Sequence, residues 1–195
     1  MTVRYGQTMP FVWSLMERKS TRAYAAVFRE IKRLLPELVI NECMIDYEKA
    51  LKKAIREEFP GADIHGCHFH FCKTNVKYAC HIGLKVYLKN NAEARHVFLL
   101  LLALPLLPAN QTRDAFDQIK ANMPQAIQQT MNRFLQYFER EWFRIVTPNV
   151  FSVFGLIRRT NNCLEAYHHT LINKFGAHPN IWMFTSNTFK ILKNY

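Results

Sequence analysis

Apolar positions fall into two rhythms along this chain, and their succession sets out its elements. Tyr24, Val27, Phe28, Ile31, Leu34 and Leu35 recur every three or four positions. That is the spacing of one helical stripe, and Ser20 or Thr21 stands where a cap is needed. The helix stops before Pro36. Leu38 to Ile45 is instead a mostly apolar run closed by Asp46, the pattern of a strand buried on both faces. Helical spacing resumes at Tyr47, Ala50, Leu51, Ala54, Ile55 and Phe59. Lys49, Lys52, Lys53, Arg56 and Glu57 fall on the wet side, and Pro60-Gly61 ends the element. Asp63 to Phe69 reads as a second strand. Strand, helix and strand in about thirty residues predict a parallel βαβ unit with a right-handed crossover.

From Phe71 to about Phe143 the pattern is helical almost throughout. Segments cover roughly 71–89, 91–104, 111–121 and 124–140, with Pro105 and Pro108 as breaks. Residues 10–16 (PFVWSLM) predict a strand ahead of the first helix. Residues 142–157 are apolar and aromatic, interrupted by Pro148-Asn149, and suit a loop packed on the core as well as a short strand. Residues 158–175 open with cationic and amide side chains and continue as a helix, with Leu164, Tyr167, His168, Leu171 and Ile172 on one side. A last helix is expected over 179–195, starting at Pro179. The pattern gives an α/β part over 10–70, an all-α block over 71–143 and C-terminal helices over 158–195, all within one domain of 1–195. No internal repeat or low-complexity segment interrupts it.

Charge adds a partner to this outline. The chain has 195 residues, 49% of them hydrophobic, and a formal net charge of +11. A surplus of that size points to a polyanion, and nucleic acid fits best, because each cation that neutralises a phosphate releases counterions. A merely basic soluble protein is the plainer alternative. The five cysteines, at 43, 67, 72, 80 and 163, form no disulfide framework and indicate a reducing compartment. The longest apolar run, His96 to Pro108, is broken at Pro105 and falls short of the roughly 20 residues a spanning helix needs. A buried helix is expected there, and no membrane partner. The same apolar segment, 97–107, also motivates a protein-interaction module.

Three groups of side chains could carry chemistry. Asp46 stands at the carboxyl end of a strand, where α/β sheets present functional groups. A carboxylate there can bind Mg²⁺, and equally can cap the next helix. Cys67 and His70 form a C-x2-H pair, with His65, His68 and Cys72 beside it. Thiolate and imidazole suit Zn²⁺, but a structural site needs four ligands and a packing role explains two just as well. The two can converge only if the strand ends between them. Glu165 falls in the first turn of a helix, where the helix dipole alone favours it. Arg158, Arg159, Asn161 and Asn162 precede it and could contact phosphates, or form a solvated loop.

Taken in this order, MPFVWSLMERKSTRAYAAVFREIK, MIDYEKALKKAIREEFPGADIHGCHFHF and RRTNNCLEAYHHTL resemble the transposase domain of Mutator-like elements (MULE). The resemblance implies an RNase H-like α/β fold with a large all-α insertion. It implies DNA cleavage and strand transfer by a DDE carboxylate triad with Mg²⁺ or Mn²⁺, in the nucleus, with DNA and a second copy of the chain as partners. It assigns the second Asp to Asp46, the Glu to Glu165 and the C-x2-H marker to Cys67 and His70. One departure stands out. No Asp precedes Asp46, and residues 1–9 are expected to be too short for the first strand and its hairpin. The expectation is therefore a fold lacking its first strands, either incomplete and inactive as a transposase or a domesticated nucleic-acid-binding or regulatory protein.

Overall fold

The computed structural model describes residues 2–4, 7–9, 12–176 and 180–192. Strands β1 (Thr2–Arg4) and β2 (Gln7–Met9) pair antiparallel as a short hairpin, Thr2 opposite Met9. The expected strand over 10–16 is not formed: residues 12–16 are irregular, and residues 10 and 11 lie outside the described residues. The short N-terminal segment thus builds a hairpin after all, in place of the strand read just after it.

Helix α1 (Thr21–Leu34) starts where its cap predicts, with Ser20 Oγ accepting from the Ala23 N–H at 3.2 Å. Leu34 and Leu35, assigned to its apolar stripe, are exposed. Strand β3 (Glu42–Ile45), helix α2 (Lys49–Glu58) and strand β4 (Asp63–Gly66) follow, with β3 and β4 parallel and Ile45 opposite Gly66. The βαβ unit is therefore present. Its strands are shorter than expected, and β3 is not buried on both faces: Glu42 is exposed, Cys43 and Met44 half-buried, Ile45 buried. The described sheet has only two strands, so nothing pairs the far side of residues 38–41. Ile45, Ile55, Phe59 and Ile64 form the small core of this unit, with Phe28 from α1 packed against it. Phe28 meets Phe59 edge-on at 5.5 Å, and Glu58 takes Arg29 at 2.6 Å and Lys32 at 3.5 Å, so α1 lies along α2.

The expected second strand ends three residues early, because α3 (His68–His81) begins at His68. Its sequence HFHF alternates like a strand, but the Cys67 N–H makes the last ladder bond, to Ile45 O at 2.8 Å, and the His68 N–H turns away to Arg159 O at 2.9 Å. Helices α4 (Leu84–Asn90), α5 (Ala92–Ala103), α6 (Thr112–Ala121) and α7 (Gln125–Phe138) complete the helical block. A π-helical segment, Glu139–Val146, continues α7, and α8 (Pro148–Phe151) follows a left-handed Thr147. The undecided region 142–157 is thus helical to Phe151 and irregular beyond. Helices α9 (Asn162–Phe175) and α10 (Ile181–Leu192) end the chain; Pro179, read as the start of the last helix, lies outside the described residues.

The chain divides into two compact units. One is Met1–Trp13 with Asn161–Tyr195; the other is Ser14–Thr160. In the first, Trp13 Nε1 donates to Tyr167 Oη at 2.7 Å, and Phe175 meets Phe184 edge-on at 5.7 Å. The second holds the larger core. Trp142, 1% exposed, touches Phe71 at 4.3 Å between ring centres, with Phe138 and Phe151 close by. Asn75 is fully buried within it. Its Nδ2 donates to Phe71 O, and its Oδ1 accepts from Trp142 Nε1, both at 2.9 Å. In α5, Val97, Phe98 and Leu101 are buried while Leu99 and Leu100 are exposed. Among the described residues no helix is long and apolar enough to cross a membrane.

Asn75→Ala leaves a buried indole N–H without an acceptor and opens a small cavity. We expect a cost of about 2–3 kcal/mol. Thermal unfolding followed by circular dichroism should show Tm lower by roughly 4–12 °C; an unchanged Tm would mean that the Asn75–Trp142 bond does not form.

Candidate active site

Three successive residues, Asp46, Tyr47 and Glu48, join β3 to α2, and they face three environments. Asp46 is exposed at the carboxyl end of β3. It does not cap α2, because the helix starts at Lys49 and the cap position belongs to Glu48, which makes no side-chain capping bond. The capping explanation for Asp46 is thereby removed. Tyr47 takes φ of +69°, a left-handed conformation uncommon for an aromatic residue. Its ring turns inward and meets Trp142 edge-on at 5.0 Å. A methyl group at Gly66 would overlap the far side of the same ring, so only glycine fits opposite it on β4. Burial, then the neighbouring Cys67 and Cys72 thiols, raise the Tyr47 phenol far above its ordinary pKa.

Glu48 points back toward α1, where its Oε2 accepts from Tyr24 Oη at 2.9 Å. Burial of Tyr24, this bond, and the charges of Glu48 and Asp46 push the Tyr24 phenol up to about 12. Tyr24 therefore sits within the field of both carboxylates at the strand end.

Cys67 and His70 both follow the end of β4, at Gly66, so the strand does not end between them. Cys67 is fully buried at the cap position of α3, and His70 is half-buried in its first turn. His68 Nε2 lies 3.5 Å from Cys72 Sγ and 3.2 Å from Leu102 O, which ties the start of α3 to α5. Among the described residues no three His, Cys, Asp or Glu side chains are grouped so as to hold a metal ion. A closed zinc centre needs four ligands, so this donor set does not fit one.

Glu165 stands in the first turn of α9, half-buried, in the unit made by the two ends of the chain; Asp46 belongs to the other unit. The unit boundary also separates Arg158 and Arg159 from Asn161 and Asn162. Arg159 and Asn162 are exposed, Arg158 and Asn161 half-buried. The Asn161 carbonyl accepts from the N–H groups of Leu164 at 2.8 Å and Glu165 at 3.2 Å. His168 and His169, further along α9, are exposed. The sequence pattern gives no notice of Tyr47 and Gly66 as positioning residues. Tyr47 has the spacing of the α2 stripe and reads as part of it, and the left-handed turn has no glycine to mark it.

A strand–helix–strand with an exposed carboxylate at the end of its first strand defines a mixed α/β protein. Residues 1–74 match the family model described as the MULE transposase domain. The match includes Asp46, Cys67 and His70, and ends within α3, before Glu165 and the 158–162 segment. No curated protein and no solved structure matches the chain.

The Tyr24–Glu48 contact is testable by pH. The folded state holds the Tyr24 proton more tightly than the unfolded chain, whose phenols titrate near 10. Its contribution to stability is complete below about pH 10 and is lost as pH rises through 12. Ultraviolet titration of tyrosinate should show late-titrating phenols, of which the one that Tyr24→Phe removes should move toward 10 in Glu48→Gln. An unmoved titration would remove the contact.

Proposed function

We propose that this chain is a transposase-related, DNA-acting domain on an RNase H-like α/β scaffold with a helical insertion, in which Asp46 is the strand-end carboxylate of a DDE-type site. One observation carries this reading: Asp46 is exposed at the end of a parallel strand, unused by the helix beside it, inside the segment that matches the MULE transposase domain. Asp46 suits Mg²⁺ or Mn²⁺, since such ions are commonly held by one or two carboxylates completed by water and substrate phosphate. Glu165 takes the role of the distal carboxylate by resemblance. Divalent ions at sites of this class activate the attacking oxygen and stabilise the leaving one. Arg158, Arg159, Asn161 and Asn162 supply donors suited to phosphate oxygens. The net charge of +11 supports a nucleic-acid partner, and DNA transposition places the work in the nucleus.

A second reading has its own support. The net charge of +11 suits binding to nucleic acid with or without catalysis. A domesticated nucleic-acid-binding or regulatory protein would keep the charge and the fold without the chemistry. Both readings share DNA binding and differ at the metal.

Binding of a short labelled duplex, followed by fluorescence anisotropy, should be salt-dependent and strengthen at least tenfold with Mn²⁺, and Asp46→Asn should abolish the metal effect while leaving metal-free binding intact. Absence of binding at low salt would contradict both readings; metal enhancement undiminished in Asp46→Asn would contradict the role given to Asp46. Nicking of supercoiled DNA in Mg²⁺ should stay at background. Metal-dependent nicking that disappears in Asp46→Ala would show that the residues present suffice for chemistry.

A further inference from the structure

On the helical block, well away in sequence from the carboxylates, α3, α7 and the π-helical segment enclose an open cleft of about 370 Å³. Arg133, Arg140 and Arg144 line it together with Tyr78, Tyr137 and Glu139. Positions 133, 137, 140 and 144 succeed one another at intervals of four, three and four, so they share one face of the continuous helix. Tyr78 and Tyr137 stack in parallel, with ring centres 3.7 Å apart and planes at 16°.

The hydrogen-bonding character of this cleft is one-sided. Arg133, Arg140 and Arg144 are exposed, and none of them makes an ion pair or hydrogen bond among the described residues. The carboxylate present, Glu139, is already taken by Arg113 at 2.9 Å and Lys120 at 3.8 Å. Burial and the charge of Glu141 push the Tyr137 phenol up to about 12, so it stays protonated and able to donate. Gln136 is the remaining lining residue. Guanidinium forks and phenol donors together suit a ligand rich in acceptor oxygens, and phosphate matches the planar fork in pairs of bonds.

The spacing then argues for a chain of phosphates. Eleven residues separate Arg133 from Arg144. At α-helical rise that is at most roughly 16 Å, and somewhat less through the π-helical turn, so about four or five phosphates of one strand at duplex spacing. The paired tyrosines add aromatic surface on which a base can stack, which a run of acidic side chains alone would leave unused. The geometry points to a nucleic-acid strand as the ligand of this cleft, its phosphates on Arg133, Arg140 and Arg144 and a base against the Tyr78–Tyr137 pair. This site is separate from the Asp46 carboxylate and needs no metal.

The test uses the full chain in EDTA, so the outcome does not depend on the metal site. The probe is a labelled oligothymidylate, with polyglutamate of equal charge as competitor. Arg133→Gln, Arg140→Gln and Arg144→Gln combined should weaken binding at least thirtyfold. The slope of log Kd against log salt should flatten by about 2, since each phosphate no longer neutralised removes about 0.7. The corresponding Lys triple should keep the slope. Tyr137→Leu should weaken binding about fivefold to tenfold at an unchanged slope. Should the Gln triple fail to fold, phenylglyoxal footprinting of the native chain replaces it, and the oligonucleotide should protect the three arginines. Unchanged affinity in the Gln triple, no footprint, unchanged affinity in Tyr137→Leu, or polyglutamate competing as well as the oligonucleotide would each overturn the proposal.

Discussion

Tyr47 leaves β3 in a left-handed conformation, drives its ring across Gly66 and lodges it against Trp142. Much of the Ser14–Thr160 unit depends on that wedge. The small α/β core of Ile45, Ile55, Phe59 and Ile64 and the aromatic core of the helical block are separate clusters, and Tyr47 packs against the second while its neighbour Ile45 belongs to the first. The cost is of order 1–2 kcal/mol for the backbone conformation, with a further penalty for a hydroxyl that finds no hydrogen-bond partner among the described residues. Burial of an aromatic ring and its contact with Trp142 offset this. Asp46 faces out between two inward residues, Ile45 on the strand and Tyr47 beyond it.

The charged groups divide along the same lines. Carboxylates gather where β3 ends, with Asp46 exposed and Glu48 held by Tyr24. Guanidinium groups without acid partners gather on α7 and its π-helical extension. The π-helical segment matters to this. Its wider turn brings the Thr147 N–H to Trp142 O at 3.0 Å, and it keeps Trp142 and Val146 inward while Arg140 and Arg144 stay outside. Packing of one tryptophan thus bears on the carboxylate edge through Tyr47 and on the basic face through its own helix.

What the sequence discloses here follows from which forces are local. Ser20 as a cap, the 3.6-residue stripes of α2 and α7, the parallel βαβ unit and Glu165 in a first helical turn all rest on short-range spacing, and all are legible. The end of β4 is not, because His68-Phe69-His70-Phe71 alternates like a strand while the His68 N–H leaves the ladder for Arg159 O, distant in sequence. The strand expected over 10–16 fails for a similar reason: aromatic and β-branched content favours pairing, but pairing needs a partner strand. Leu34 and Leu35 keep the helical rhythm but stay exposed, whereas Phe28 of the same stripe packs on Phe59. The site divides in the same way. Asp46 can be found from its place after an apolar run, whereas Tyr47 and Gly66 are defined by a long-range contact that no periodicity announces. Arg133, Arg140 and Arg144 have helical spacing that reads as an ordinary wet face; only the cleft gives them a common side.

The wedge of Tyr47 against Gly66 is what links the two cores, and a double-mutant cycle in equilibrium unfolding tests it most directly. Gly66→Ala in the native background should cost at least about 2 kcal/mol, since the ring is confined by Trp142 and cannot yield. With Tyr47→Gly already in place the same change should be nearly neutral, leaving a coupling energy of about 2 kcal/mol or more. Additive effects of the two substitutions would contradict the account: the ring would not be seated on Gly66, and Tyr47 would not link the two cores.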